Sequence, residues 1–186
     1  GFTGTAFTEA GDGIAYDGKL LFATDHQDRG PAQSNKSTAD LDAASYEAAR
    51  VAMQSLVDDE GQPLAIRPNL LIVGPTNERT ALETVNAGLI DQGGGAGVDN
   101  VFRGTAQVVV SQRLVGTYSD YWFLADTSRS MGPLVWTDRM SPEFVGQNSV
   151  TDDSMFERDE ARFKVQLRAG FGYGLWQFIH GSDGTT

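Results

Sequence analysis

A strictly alternating run near the C-terminus constrains the fold of this chain more than any other feature. Over 162–171, apolar residues at the odd positions alternate with Arg, Lys, Gln or Gly at the even positions. A period of two predicts a β-strand with one buried face and one solvated face. Gly170, Gly172 and Gly174 come at its end and predict a bend before a further short strand at 175–179.

Two helices and several more strands are predicted upstream of this run. Apolar residues at helical spacing indicate a helix over 39–58, with Ser37 or Thr38 as its N-cap and Asp40 and Asp42 in its first turn. A second helix is predicted over 77–87, after an apolar strand at 69–73. Shorter strands are predicted at 107–115, 121–125 and 134–137. Helices followed by strands, without an internal repeat, indicate the α+β class.

Composition excludes several functional classes. The 186 residues include 14 Lys plus Arg and 25 Asp plus Glu, which gives a net charge of −11. Binding to phosphates or to an anionic membrane surface needs clustered positive charge, so both are disfavoured. Without cysteine the chain has no disulfide, thiolate zinc site or cysteine nucleophile. No apolar run reaches the ~18 residues of a membrane span, and no secretory leader is recognised.

Several short motifs carry polar groups but no recognisable chemistry. The glycine run at 93–97 lacks the Lys-Ser/Thr ending of a phosphate loop, so a surface loop is predicted. Asp25-His26-Gln27-Asp28 offers one imidazole among carboxylates, and a polar loop is favoured over a metal site. The acidic pairs at 58–60 and 152–153 are interpreted as solvated turns. We therefore expect no cofactor and no metal.

One tripeptide keeps a catalytic interpretation open. Asp126-Thr127-Ser128 follows a predicted strand and resembles the active-site tripeptide of aspartic proteases, where two such aspartates share a proton. A dimer would have to supply the second aspartate. A strand ending in a capped turn is the favoured interpretation. His180 is expected in a C-terminal tail where no pocket forms.

The tryptophans offer a binding alternative. Trp122, Trp136 and Trp176 fall in predicted strands beside other aromatic residues, where stacking on bases or sugars is conceivable. Packing in the core is the favoured interpretation for all three.

The order of these motifs resembles the C-terminal part of tailed-phage major capsid proteins, most closely the Mu-like major head subunit family. The resemblance extends over nearly the whole chain from about residue 14, and it depends on the order of motifs that are each unspecific. The segments that carry it are Asp17-Gly18-Lys19-Leu20-Leu21-Phe22 with His26, the first helix, Gly61-Gln62-Pro63-Leu64, 68–73, the second helix, 108–114, Trp122-Phe123-Leu124-Ala125-Asp126, Pro133-Leu134-Val135-Trp136 and 163–174.

The resemblance implies a Hong Kong 97-type capsid fold, chiefly its axial domain, which meets symmetry mates at capsomer centres. Residues 1–58 would form an extended segment and a helix at the junction with the peripheral domain. Residues 59–154 would form the axial domain, and 155–186 the strands that return to the junction. The N-terminal arm, extended loop and spine helix of such subunits are expected before Gly1.

The resemblance also implies a structural, non-enzymatic head subunit of the virion. It would self-assemble in the host cytoplasm into hexamers and pentamers of an icosahedral shell enclosing double-stranded DNA. Further partners of such subunits are scaffold, maturation protease, portal and decoration proteins, and no membrane is involved. The negative charge implies loose, non-specific contact with packaged DNA. The candidate intersubunit contacts are Arg103, Arg113, Arg129, Arg139, Gly94 and Gly95. A dimeric aspartic-type hydrolase using Asp126 and a non-viral α+β binding module remain alternatives.

Overall fold

A mixed five-stranded sheet forms the centre of the fold in a computed structural model, which describes residues 14–27, 29–90, 97–147 and 162–184. The elements in chain order are β1 (Lys36–Ser37), α1 (Ala43–Gln54), β2 (Leu70–Val73), α2 (Glu78–Asn86), β3 (Leu89–Ile90), β4 (Val98–Asp99), β5 (Gln107–Val110), β6 (Trp122–Ala125), β7 (Leu134–Gln147), β8 (Arg162–Tyr173) and β9 (Ile179–Ser182). Short 3-10 turns lie at Pro75–Asn77, Gly116–Tyr118 and Trp176–Phe178.

The central sheet has the order β1-β9-β6-β2-β5. β2 is parallel to β5 and antiparallel to β6, whereas β9 is antiparallel to β6 and parallel to β1. Parallel neighbours need a crossover connection, and α2 lies in the connection between β2 and β5. Two helices with a mixed sheet confirm the predicted α+β class.

The chain divides into two compact units. The first comprises residues 1–133 and 173–186 and contains the central sheet, and the second comprises residues 134–172. The two units are defined by the compactness of the backbone. The predicted domains 1–58, 59–154 and 155–186 are instead defined by their places in a capsomer, so that division stays a prediction.

The core of the first unit lies around β6. All four residues of Trp122–Ala125 are buried, because β6 lies between β9 and β2 and is covered on both faces. α1 contributes its buried face through Tyr46, Ala49 and Met53. Among the residues that the structure describes, no helix combines the length and apolar character needed to cross a bilayer.

The first helix begins later than its apolar pattern predicts. Asp42 is the N-cap rather than Ser37 or Thr38, because its carboxylate accepts a hydrogen bond from the Ser45 N–H while the Ser45 hydroxyl accepts one from the Asp42 N–H. This reciprocal capping box fixes the start of the helix. Asp40 and Asp42 therefore precede the first turn.

The C-terminal strands differ from the prediction in extent. β7 continues ten residues beyond the predicted end at 137, because its pairing with β8 supplies hydrogen-bond partners for the longer strand. The strand predicted at 175–179 is instead a 3-10 turn, Trp176–Phe178, followed by β9. His180 thus lies in a buried strand of the central sheet, and the expectation of a tail is wrong.

Candidate functional site

A buried polar network joins the N-terminal segment to the C-terminal strand. The Asn35 amide nitrogen donates to the carbonyl oxygens of Leu21, Trp176 and Ile179 at 2.8, 3.2 and 3.1 Å. The Asn35 Oδ1 accepts a hydrogen bond from the Ala23 N–H at 3.1 Å. One buried amide therefore holds together backbone segments that lie more than 140 residues apart.

His26 belongs to the same network. Its Nδ1 is 2.6 Å from the Asp17 carboxylate, and its Nε2 is 3.1 Å from Asn35 Oδ1 and 3.2 Å from the Leu21 carbonyl oxygen. The ring stacks on Trp176 with the centroids 4.1 Å apart. Both nitrogens face acceptors within the protein, so His26 is a structural residue. Its side chain is buried within the polar loop that the sequence predicts here.

Carboxylates near this network do not converge on a cation. Asp25 forms an ion pair with Lys19, and Asp28 lies outside the described residues. A cavity of about 340 Å³ beside His26 is lined by Asp58, Asp59 and Glu60, among others. Within the described ranges, no group of three or more His, Asp or Glu side chains is placed to hold a metal ion.

His180 is the second buried histidine. Burial lowers its pKa from 6.5 to about 4. Its Nε2 lies 3.3 Å from the Ser37 hydroxyl, whereas its buried Nδ1 has no hydrogen-bond partner in the described structure. The lowered pKa keeps the imidazole neutral at pH 7.

The Asp126 carboxylate is fully buried and fully hydrogen bonded. One oxygen accepts from the Arg67 N–H at 2.9 Å, and the other accepts from the Ser128 N–H at 2.9 Å and the Ser128 hydroxyl at 2.6 Å. Burial alone would raise the pKa of Asp126, but the hydrogen bonds from Ser128 and Arg67 and the nearby Arg129 charge outweigh it and lower the pKa.

The segment that Asp126 contacts contains a strained backbone residue. Ala65 has φ of +51°, in the left-handed region that disfavours residues with a Cβ. An Arg129 guanidinium nitrogen donates to the carbonyl oxygens of Leu64 and Ala65, both at 3.1 Å. Asp126 and Arg129 therefore clamp residues 64–67 from both sides of the strained position.

The structure does not gather the predicted contact residues into one site. All four arginines are exposed, but they lie in separate segments: Arg103 after β4, Arg113 after β5, Arg129 after β6 and Arg139 within β7. Arg129 already binds carbonyl oxygens of its own chain. Gly94 and Gly95 lie outside the described residues.

The second unit is a two-stranded ribbon of β7 and β8. The rings of Phe144 and Phe163 stack with centroids 5.6 Å apart, and a Cβ at Gly170 would lie 3.9 Å from the Thr137 Cβ. From the first of these pairs to the second, the residue number falls by seven in β7 and rises by seven in β8. The two strands are therefore antiparallel. The register also places Arg139 opposite Arg168.

The ribbon exposes the face that the alternating sequence predicts to be buried. Phe163, Val165 and Leu167 share one face of β8 and are 61%, 68% and 54% exposed. Trp136 is 66% exposed, so the expectation that all three tryptophans pack in the core is wrong for this one and confirmed for Trp122 and Trp176. The period of two gave the strand correctly but could not show whether another element covers it.

Comparison with known proteins identifies the family to which this chain belongs. The profile described as "Mu-like prophage major head subunit gpT" matches residues 31–114 and 111–186. The chain belongs to the Mu-like prophage major head subunit family. The resemblance indicated by the order of motifs is therefore confirmed, and the family is named for a structural component of the phage head.

Relatives within this family share only part of their length with the chain. It is 29% identical over 90 residues to the Mu-like prophage FluMu major head subunit of Haemophilus influenzae, covering 48% of this chain and 29% of that relative. It is 38% identical over 56 residues to the major capsid protein of Escherichia phage Mu, covering 30% of this chain and 18% of that relative.

This chain also matches a solved structure of a phage procapsid. A chain of the procapsid of bacteriophage JBD30 is 24% identical, with a TM-score of 0.29, over 74% of this chain and 38% of that one.

Proposed function

We propose that this chain acts as a major head subunit. It assembles with copies of itself into hexamers and pentamers and an icosahedral shell around double-stranded DNA. The observation that carries the proposal is the family match over 31–114 and 111–186, which takes in both helices and every strand that the structure describes. The role is structural, and the chain acts in the virion after assembly in the host cytoplasm.

Two features support a shell subunit with a Hong Kong 97-type arrangement. The chain combines a compact sheet-and-helix unit with a separate exposed ribbon, and a shell subunit needs a stable body together with surfaces for its neighbours. A net charge of −11 disfavours a tight grip on packaged DNA. Scaffold, maturation protease, portal and decoration proteins remain proposed partners.

The hydrolase alternative finds no support at Asp126. Both oxygens of this carboxylate are occupied by hydrogen bonds from its own chain. If the native product cleaved peptides and Asp126→Asn abolished the cleavage, the hydrolase would replace our proposal. The family match likewise disfavours a non-viral binding module.

Light scattering on a sizing column, with negative-stain electron microscopy of the same peak, tests the proposal. The sample is the native full-length product that carries this sequence. We expect rings or closed particles. A product that stays monomeric or dimeric at every protein and salt concentration would refute the head-subunit role.

A further inference from the structure

The β7–β8 ribbon has two chemically different faces. Phe163, Val165 and Leu167 share one face of β8, whereas Lys164, Gln166 and Arg168 share the other. The stack of Phe144 on Phe163 places the even positions of β7, including Trp136, on the apolar side. We call the surface formed by Trp136, Phe144, Phe163, Val165 and Leu167 the apolar ribbon face.

The apolar ribbon face is large for an exposed surface. Its three aromatic rings are 61% to 66% exposed. Each ring can bury ~200 Å², so the rings alone expose about 400 Å² of mostly apolar area. Val165 and Leu167 add to this area, which then reaches the size of the largest patches found on monomeric proteins. A patch of this size is typical of an interaction site.

The chemistry of this face favours one kind of occupant. The five residues that define it carry no charge, and the one charged residue at an even position of β7 is Asp138, a carboxylate that would repel a phosphate backbone. It suits another apolar protein surface, because burying aromatic and aliphatic groups drives such association. In a shell built from copies of one chain, a second copy is the partner present at highest local concentration.

We infer that the apolar ribbon face is a contact surface for a second copy of this chain in the assembled particle. The inference rests on the proposed head-subunit function and adds to it the residues through which copies meet. Burial in the assembly also explains why a hydrophobic period of two persists on a strand that is exposed in the single chain.

A charge placed on either face of β8 tests the inference. Val165→Asp puts a carboxylate on the apolar ribbon face, and Gln166→Asp puts the same group on the neighbouring polar face as a matched control. Burying an unpaired carboxylate is strongly unfavourable. We expect Val165→Asp to lower the yield of particles by about tenfold or more. Gln166→Asp should assemble like the wild type, and circular dichroism should show both variants folded.

Assembly of Val165→Asp at the wild-type yield would overturn the inference and leave the head-subunit function intact. Failure of the wild type to assemble would instead refute that function. Should Val165→Asp fail to fold, crosslinking decides. The chain has no cysteine, so Leu167→Cys carries a unique thiol for a benzophenone maleimide.

Particles made from mixed light and ¹⁵N-labelled Leu167→Cys chains are then photolysed and analysed by mass spectrometry. Crosslinked peptides that combine a light and a heavy chain support the contact between copies. Crosslinks confined to one chain would show that another segment of the same chain covers the face, and they would overturn the inference.

Discussion

The Asp126 carboxylate accepts the Arg67 N–H at 2.9 Å, two residues beyond the strained Ala65. Arg129, in the same loop as Asp126, donates to the carbonyl oxygens of Leu64 and Ala65. One buried carboxylate and one arginine in the loop after β6 therefore stabilise a left-handed residue in the segment that leads into β2. This relationship explains the Asp-Thr-Ser sequence without catalysis.

Asp126→Asn should destabilise the first unit. An amide nitrogen in place of one oxygen would face a backbone N–H donor, so a hydrogen bond is lost and two donors oppose each other. We expect a decrease of about 2 kcal/mol in the free energy of unfolding, measured by urea denaturation. Asp99→Asn, on an exposed strand, is the matched control and should change little. Equal stabilities of the two variants would contradict the clamp.

Ala65→Gly should stabilise the chain slightly. Glycine removes the left-handed strain, worth about 1 kcal/mol, but gives part of it back through greater freedom of the unfolded chain. A net gain of about 0.5 kcal/mol is expected in the same urea experiment. Ala65→Val should lose stability, because a β-branched residue fits the left-handed region poorly. A more stable Val variant would show that the backbone changes conformation at this position.

Acid should weaken the first unit through His180. Its pKa is about 4 when folded and 6.5 when exposed. Between these values the unfolded state binds a proton that the folded state excludes, so the free energy of unfolding falls as the pH falls from 6.5 to 4. The loss at pH 4 relative to pH 7 is about 3 kcal/mol.

Urea denaturation of the wild type and His180→Asn over this pH range measures the effect of His180. The variant retains His26 and all carboxylates, so the difference between the two curves isolates one residue. We expect the wild type to lose stability relative to the variant as pH falls. Parallel curves would show that His180 titrates normally in the folded state.

Two of the candidate arginines should separate folding from assembly. Arg129→Gln loses the contacts with Leu64 and Ala65, so its melting temperature should fall by about 2 to 4 °C.

Arg139 faces Arg168 across the ribbon, and like charges in that position repel. Arg139→Gln should therefore keep or slightly raise the melting temperature while lowering particle yield, if a neighbouring carboxylate normally pairs with it. Unchanged yield would remove Arg139 from the predicted intersubunit contacts.

Local patterns predicted the elements of the first unit better than their ends. The apolar run at 69–73 and the helical spacing after it led to β2 and α2 because each pattern reports burial on one element. The start of α1 was missed because a reciprocal bond between Asp42 and Ser45 outweighs the caps offered by Ser37 and Thr38. Asp-x-x-Ser is a weak signal, but it could have identified the correct cap.

Long-range relationships were outside the reach of the sequence. Nothing near Asn35 indicates that its amide meets carbonyls beyond residue 175, and nothing near His180 indicates a place beside β6. The alternation over 162–171 correctly predicted a strand with one apolar face. A period of two does not distinguish an apolar face buried in the core from one that is exposed in the single chain. The predicted contacts at Gly94 and Gly95 lie outside the described residues.

The position of β9 has a consequence for biosynthesis. This strand lies between β1 and β6, and Asn35 bonds to the carbonyls of Trp176 and Ile179. While the ribosome is still translating residues before 179, the nascent chain lacks an inner strand of its sheet, and β6 presents an open hydrogen-bonding edge. The first unit can therefore close only after Ser182 has left the exit tunnel. Polypeptides that end before β9 would lack this inner strand and would be substrates for chaperones and proteases, and only products that include β9 would be competent for the proposed assembly.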